Sequence, residues 1–184
     1  MRITRNGQRG YNLVEVLIAM AILGSVILSI VALFYLGRRN VYSGKQMTYA
    51  NSVGVQVLED LSGLDMSALY AAFGITSAST LSATATVNGI TYTNCITRST
   101  ANLAQDVDPP GFLARWNNAI GNGNRLQSPQ VTLILIPTIP SALWTATTPI
   151  HPAPAIMRIR AVISWKEGQR SRAITLDTIK TQRN

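Results

Sequence analysis

The chain is poor in the residues that most chemistry needs. It has one cysteine, Cys95, and one histidine, His151. One cysteine excludes an intrachain disulfide, so any core must be held by packing. Cys95 is expected to be a small buried core residue. One histidine excludes a multi-histidine metal centre. A Ser-His-Asp triad would have to be built on His151, which sits between Ile150 and Pro152 in a proline-rich segment rather than on a scaffolding element. There is no H-E-x-x-H, no C-x-x-C and no glycine-rich phosphate loop. Asp106 and Asp108 precede Pro109-Pro110 and read as loop carboxylates rather than a cation site. No catalytic residue, metal or cofactor is assigned. Acidic residues are also scarce, eight against sixteen Lys and Arg, which leaves a formal charge of +8. That excess is dispersed. Arg158/Arg160 and Arg170/Arg172 are the places where a nucleic-acid-binding patch could form, and a solvated sheet face is the stronger reading there.

The longest gap is in charge. From Val16 to Leu36 no residue is charged. A helix over that stretch rises about 30 Å, the thickness of bilayer hydrocarbon. Gly24, Ser25 and Ser29 are small enough for a membrane helix. Before the gap stands a lone carboxylate, Glu15. Before that come Gly10 and a leader carrying Arg2, Arg5 and Arg9. Near the hydrocarbon edge a carboxylate costs less than the ~2.5–3.5 kcal/mol estimated at the bilayer centre, and it needs a partner. If the chain is cut after Gly10, the new amine at Tyr11 lies one helical turn from Glu15, and the two can pair. A secretory signal fits badly. The apolar run exceeds an h-region of about 7–15 residues, and Gly37-Arg38-Arg39 follows it without a small-residue cleavage site. Charges on the two flanks nearly tie, so they do not set orientation.

Gly10-Tyr11-Asn12-Leu13-Val14-Glu15-Val16-Leu17-Ile18-Ala19 resembles the processing and methylation segment of type IV prepilins and type II secretion pseudopilins. The resemblance implies cleavage after Gly10 by a prepilin peptidase, methylation of the Tyr11 amine, and a subunit-docking role for Glu15. It implies a single-pass inner-membrane protein with a periplasmic C-terminal domain, later part of a pilus or pseudopilus. The implied partners are the peptidase, other minor and major pilins met through the N-terminal helix, the inner-membrane assembly platform and the lipid bilayer. Tyr11 and Asn12 depart mildly from the family's usual Phe or Met and Thr or Ser. Ala32 stands near the place where major pilins carry a helix-breaking proline, which points to a minor subunit. Arg160–Trp165, a turn at Lys166–Gln169 and Arg170–Thr178 resemble the C-terminal hairpin of PilV-type minor pilins and I-type minor pseudopilins. A type IV pilus minor pilin is the first reading. The alternatives are an I-type pseudopilin of type II secretion and a minor pilin that binds DNA or a surface.

The pattern predicts an α+β, type IV pilin-like fold with a long N-terminal helix on a C-terminal antiparallel sheet. The expected parts are a leader at 1–10, a membrane half of the helix at 11–36, an amphipathic half at 37–70 and a β-rich domain at 71–184. The helix is expected from about Tyr11 to Leu64. Ala50, Val53, Val57, Leu61, Leu64 and Ala68 should form its buried stripe, and Gly37–Gly44 its loosest stretch. Asn88-Gly89 predicts a tight hairpin turn between Ala83–Val87 and Ile90–Thr93. Phe112–Ile120 reads as a short helix carrying Trp116. Val131–Ile136 reads as a buried strand, Pro137–Pro154 as a long loop, and Ile156–Trp165 with Ser171–Ile179 as a closing hairpin.

Overall fold

The computed structural model describes residues 12–73, 84–103, 111–121, 123, 125–138 and 156–181. The chain is α+β, in the order α1 (Leu13–Ser62), α2 (Met66–Ala72), β1 (Ala85–Val87), β2 (Ile90–Tyr92), β3 (Ile96–Ser99), α3 (Phe112–Gly121), β4 (Gln127–Thr138), β5 (Ile156–Glu167) and β6 (Arg170–Thr181). It divides into two units, Met1–Gly44 and Lys45–Asn184.

The first unit contains the N-terminal part of α1. Residues 37–44 stay helical, so the expected loosening at Gly37–Gly44 does not occur. A glycine costs a helix roughly 1 kcal/mol, less than breaking a helix that is already nucleated and continues on both sides.

The second unit is a sheet with helices on one face and a hairpin on the other. β3, β4, β5 and β6 form a four-stranded antiparallel sheet in that order. On its inner face Val131, Leu133 and Leu135 of β4 register with Ile163, Ala161 and Ile159 of β5. All six are fully buried. The remainder of α1 covers this face with Gln46, Ala50, Val53, Gly54, Val57 and Leu61. Their spacing of three and four residues is that of a stripe on one helix face. Gly54 marks the closest approach. A Cβ built there would lie 2.0 Å from a methyl of Leu176 and 2.8 Å from one of Ile163. A glycine that looked like a weak point in the helix is what lets the helix reach β5 and β6.

The stripe ends earlier than expected. α1 stops at Ser62, Leu64 is half-buried and Ala68 is exposed. After the break at Gly63–Asp65 the chain restarts as α2 with a new rotation, and Met66, Leu69 and Tyr70 take over the burial. Two polar groups tie down the helix ends. Lys180 Nζ of β6 donates to Ser62 O at 2.8 Å, and Arg98 Nη2 of β3 donates to Phe73 O, at the C-cap of α2, at 2.8 Å. Both place a cation where helix carbonyls lack intrahelical partners. α3 docks through Trp116, whose Nε1 donates to Asp60 Oδ2 at 2.9 Å, and through Tyr49, whose hydroxyl donates to Ala119 O at 2.6 Å.

The outer face of the sheet carries the small hairpin β1–β2. Asn88 and Gly89 both have positive φ, 52° and 78°, and Val87 pairs with Ile90 across them. This is the turn expected from Asn-Gly. Ala85, Val87 and Tyr92 pack on Cys95, Ile134, Ile136 and Val162, a second and smaller core. Cys95 is fully buried there, and burial pushes its thiol pKa up.

Three boundaries differ from expectation. β3 was not foreseen, because Ile-Thr-Arg-Ser is four residues with no apolar alternation. β4 runs from Gln127 to Thr138 and so includes Pro129 and Pro137. Its pairing with β3 ends at Ile96–Leu135, leaving Pro137 beside β5 alone. A strand tolerates a missing N–H where one side is unpaired. β5 and β6 extend two residues beyond the expected Trp165 and Ile179. A two-residue turn at Gly168-Gln169 joins them, with Gly168 at φ 62°.

Candidate functional site

The sequence points to the start of α1. Gly10 and Tyr11 lie outside the described residues, so the geometry of the proposed cleavage and methylation site is not on view. Asn12 is the residue before the helix. Its carbonyl accepts from the Glu15 N–H at 2.8 Å and the Val16 N–H at 3.3 Å. Asn is a favoured residue at that position. Glu15 is the acidic residue of the first turn and is exposed. Negative charge there is favoured by the open N–H groups at the helix start. Glu15 therefore has a local reason to be acidic beside any role in docking, and a test of the docking role must separate the two.

From Leu13 to Leu36 the helix exposes almost its whole apolar surface. Leu13, Leu28 and Phe34 are 75%, 72% and 76% exposed. Among the described residues, α1 is the one helix long and apolar enough to cross a membrane, and none of its apolar window is buried. The two serine hydroxyls in the stretch are satisfied within the helix. Ser25 Oγ donates to Ile22 O and Ser29 Oγ to Ser25 O, both at 2.8 Å. An apolar medium requires this, because it offers no water to unpaired donors. Arg38 and Arg39 follow directly.

The candidate basic patch does not assemble. Arg158 and Arg160 project from the outer face of β5, in register with Ile179 and Asp177. Arg170 and Arg172 register with Glu167 and Trp165 and so belong to the inner face of the sheet. The two pairs stand on opposite faces. Each is also partly neutralised. Arg160 forks onto both carboxylate oxygens of Asp177, Arg158 reaches the same carboxylate at 2.9 Å, and Arg172 pairs with Glu167 at 3.0 Å. The hydrogen bond from Arg160, and then that from Arg158, hold the Asp177 carboxyl below its ordinary range, while the Asp177 hydrogen bond raises Arg160. Arg160 also donates to the Tyr92 hydroxyl and lies over its ring, with 5.1 Å to the ring centre. It therefore fastens the β1–β2 hairpin to the sheet. In the sequence Arg160 reads as a charge and as the first residue of the hairpin segment Arg160–Trp165. Its structural partners became visible once the register of β5 and β6 was known.

His151, Asp106 and Asp108 lie outside the described residues, as does most of Pro137–Pro154. Among the described residues no group of three or more His, Cys, Asp or Glu comes together. No family model, no curated protein and no solved structure matches the chain.

Proposed function

We propose that the chain is a pilin-type structural subunit, a minor pilin anchored in the inner membrane by α1, with the C-terminal domain in the periplasm, and drawn into a type IV pilus. It is a substrate of a prepilin peptidase and not itself an enzyme. The observation that carries the reading is the joining of the Gly10–Ala19 motif to a helix whose first half is apolar and unburied and whose second half is packed on an antiparallel sheet. An ordinary membrane anchor explains the apolar half but gives no reason for Gly10 at the end of a basic leader or for Glu15 at the start of the span. On this reading the apolar half rests in lipid before assembly and against the helices of other subunits afterwards. Glu15 is matched by the Tyr11 amine of its own or a neighbouring chain.

The test separates docking from helix capping. Glu15→Ala and Glu15→Gln are expressed beside wild-type subunits, and membrane and sheared-filament fractions are probed for the protein. Both variants should reach the membrane and lose their leader, and both should be missing from filaments, since each removes the charge that pairs with the amine. Gln keeps a polar first-turn side chain. Normal incorporation of Glu15→Gln would reduce Glu15 to a helix-start residue.

A further inference from the structure

A cleft of about 550 Å³ opens on the outer face of the sheet beside the β1–β2 hairpin. Three strands build its floor. Ser99 of β3 registers with Thr132 of β4, Thr132 with Val162 of β5, and Gln130 of β4 with Ser164 of β5. Val162 is shared with the small core under the hairpin, and Arg160 holds Tyr92 in place. The floor and the hairpin wall of the cleft are thus set by packing, and Thr84 and Asn102 line it from outside the strands. Its volume is within the range of small-ligand sites.

Its chemistry is neutral. The polar side chains on the floor are hydroxyls and an amide. Arg98 is the one ionisable residue among those lining it. The alternation of β3 sends the Arg98 side chain to the other face, where its guanidinium is held by Phe73 O and Thr97 O. Among the described residues lining the cleft, no cation is available for an anion and no carboxylate for an ammonium.

The hydrogen bonding inside the cleft leaves a mixed set of valences. Ser99 Oγ accepts from Gln130 Nε2 at 2.7 Å and from the Ala101 N–H at 3.2 Å. Both its lone pairs are then used, and its O–H is left to donate. Gln130 Nε2 also makes a longer contact, 3.4 Å, with Thr132 Oγ1. Its carbonyl Oε1 is left to accept, and the Thr132 hydroxyl to donate. Donors and an acceptor set side by side around Val162 match a vicinal diol, which both donates and accepts and carries no charge.

We propose that this cleft is a binding site for a neutral saccharide. The inference is independent of the filament reading. The probe is a panel of neutral disaccharides (maltose, lactose, cellobiose and N,N′-diacetylchitobiose), with glucose 1-phosphate as the anionic comparison. Saturation-transfer NMR is run on the full chain in a detergent without a sugar headgroup. At least one neutral disaccharide should receive saturation from the protein. Its binding should weaken about tenfold in Thr132→Val, which keeps the volume and removes one hydroxyl. It should vanish in Ser164→Leu, which fills the cleft. Both variants are checked by their melting curves, and Thr132→Val keeps the test valid if Ser164→Leu does not fold. Absence of transfer to every neutral disaccharide would overturn the proposal. So would transfer unchanged in both variants, or a preference for glucose 1-phosphate.

Discussion

The two halves of α1 are continuous in backbone and opposite in circumstance. Ala50, Val57 and Leu61 in the second half are fully buried, while Leu28 and Phe34 in the first are more than two-thirds exposed. The glycines sharpen the contrast. Gly24, Gly37 and Gly44 have nothing within 4 Å of where a side chain would begin, whereas Gly54 is pressed against Leu176 and Ile163. A helix of uniform backbone is thus asked to satisfy two solvents. Protein covers one face of its second half, and its first half exposes apolar surface that water does not stabilise. The same residue type means permissiveness in one half and close packing in the other.

The largest break in that comparison is a charge placed in each half. Leu61→Asp puts an unpaired carboxylate in the core, a change worth several kcal/mol. Circular dichroism of the full chain in detergent should show loss of cooperative unfolding, while Gln56→Asp, on an exposed position of the same helix, should melt close to wild type. Leu28→Asp should do the reverse of Leu61→Asp. The C-terminal unit should keep its melting transition, while membrane retention falls, since a charge near the middle of a span costs ~2.5–3.5 kcal/mol.

A smaller break uses the glycines. Gly54→Leu should destabilise by about 1–3 kcal/mol, because the new side chain has to displace Leu176 and Ile163. Gly44→Leu meets open space and gains helix propensity, so it should stabilise by roughly 0.5–1 kcal/mol. Opposite signs in thermal denaturation of the two variants are the expected outcome. Equal signs would mean that the helix does not sit on β5 and β6 as described.

What could be read from the sequence was what short-range chemistry decides. Asn88-Gly89 announced its turn because two adjacent residues with positive φ define it. The stripe from Ala50 to Leu61 was legible because a helix repeats its face within a few residues. The role of Gly54 was not legible, since its neighbours Leu176 and Ile163 lie more than a hundred positions away. The Arg160–Asp177 pair depended on strand register in the same way. β3 was missed because its place is set by pairing with β4 and not by its own four residues. At the start of α1, Glu15 was legible as a lone charge, but its first-turn position after Asn12 emerged from the hydrogen bonds.

The smallest effect concerns acid. Asp177 has a carboxyl pKa depressed in the folded protein by Arg160 and Arg158. A depressed carboxyl stabilises the fold above its unfolded value, about 3.9, and that contribution is lost as pH falls through the lower folded value. The group is a third exposed, so the effect is modest. Between neutral pH and strong acid, wild type should lose more melting temperature than Asp177→Asn, with the difference arising below about pH 4. Parallel pH curves would show that the pair adds nothing to the outer face of the sheet.

The contrast between the halves of α1 has its meaning in assembly only if the chain enters the membrane as a pilin precursor does. Intact-mass analysis of the protein extracted from membranes, in a strain with its prepilin peptidase, tests this most directly. The expected product is a chain that lacks residues 1–10 and begins at Tyr11 with one added methyl group. A chain that begins at Met1, or at a residue beyond Leu36, would contradict it.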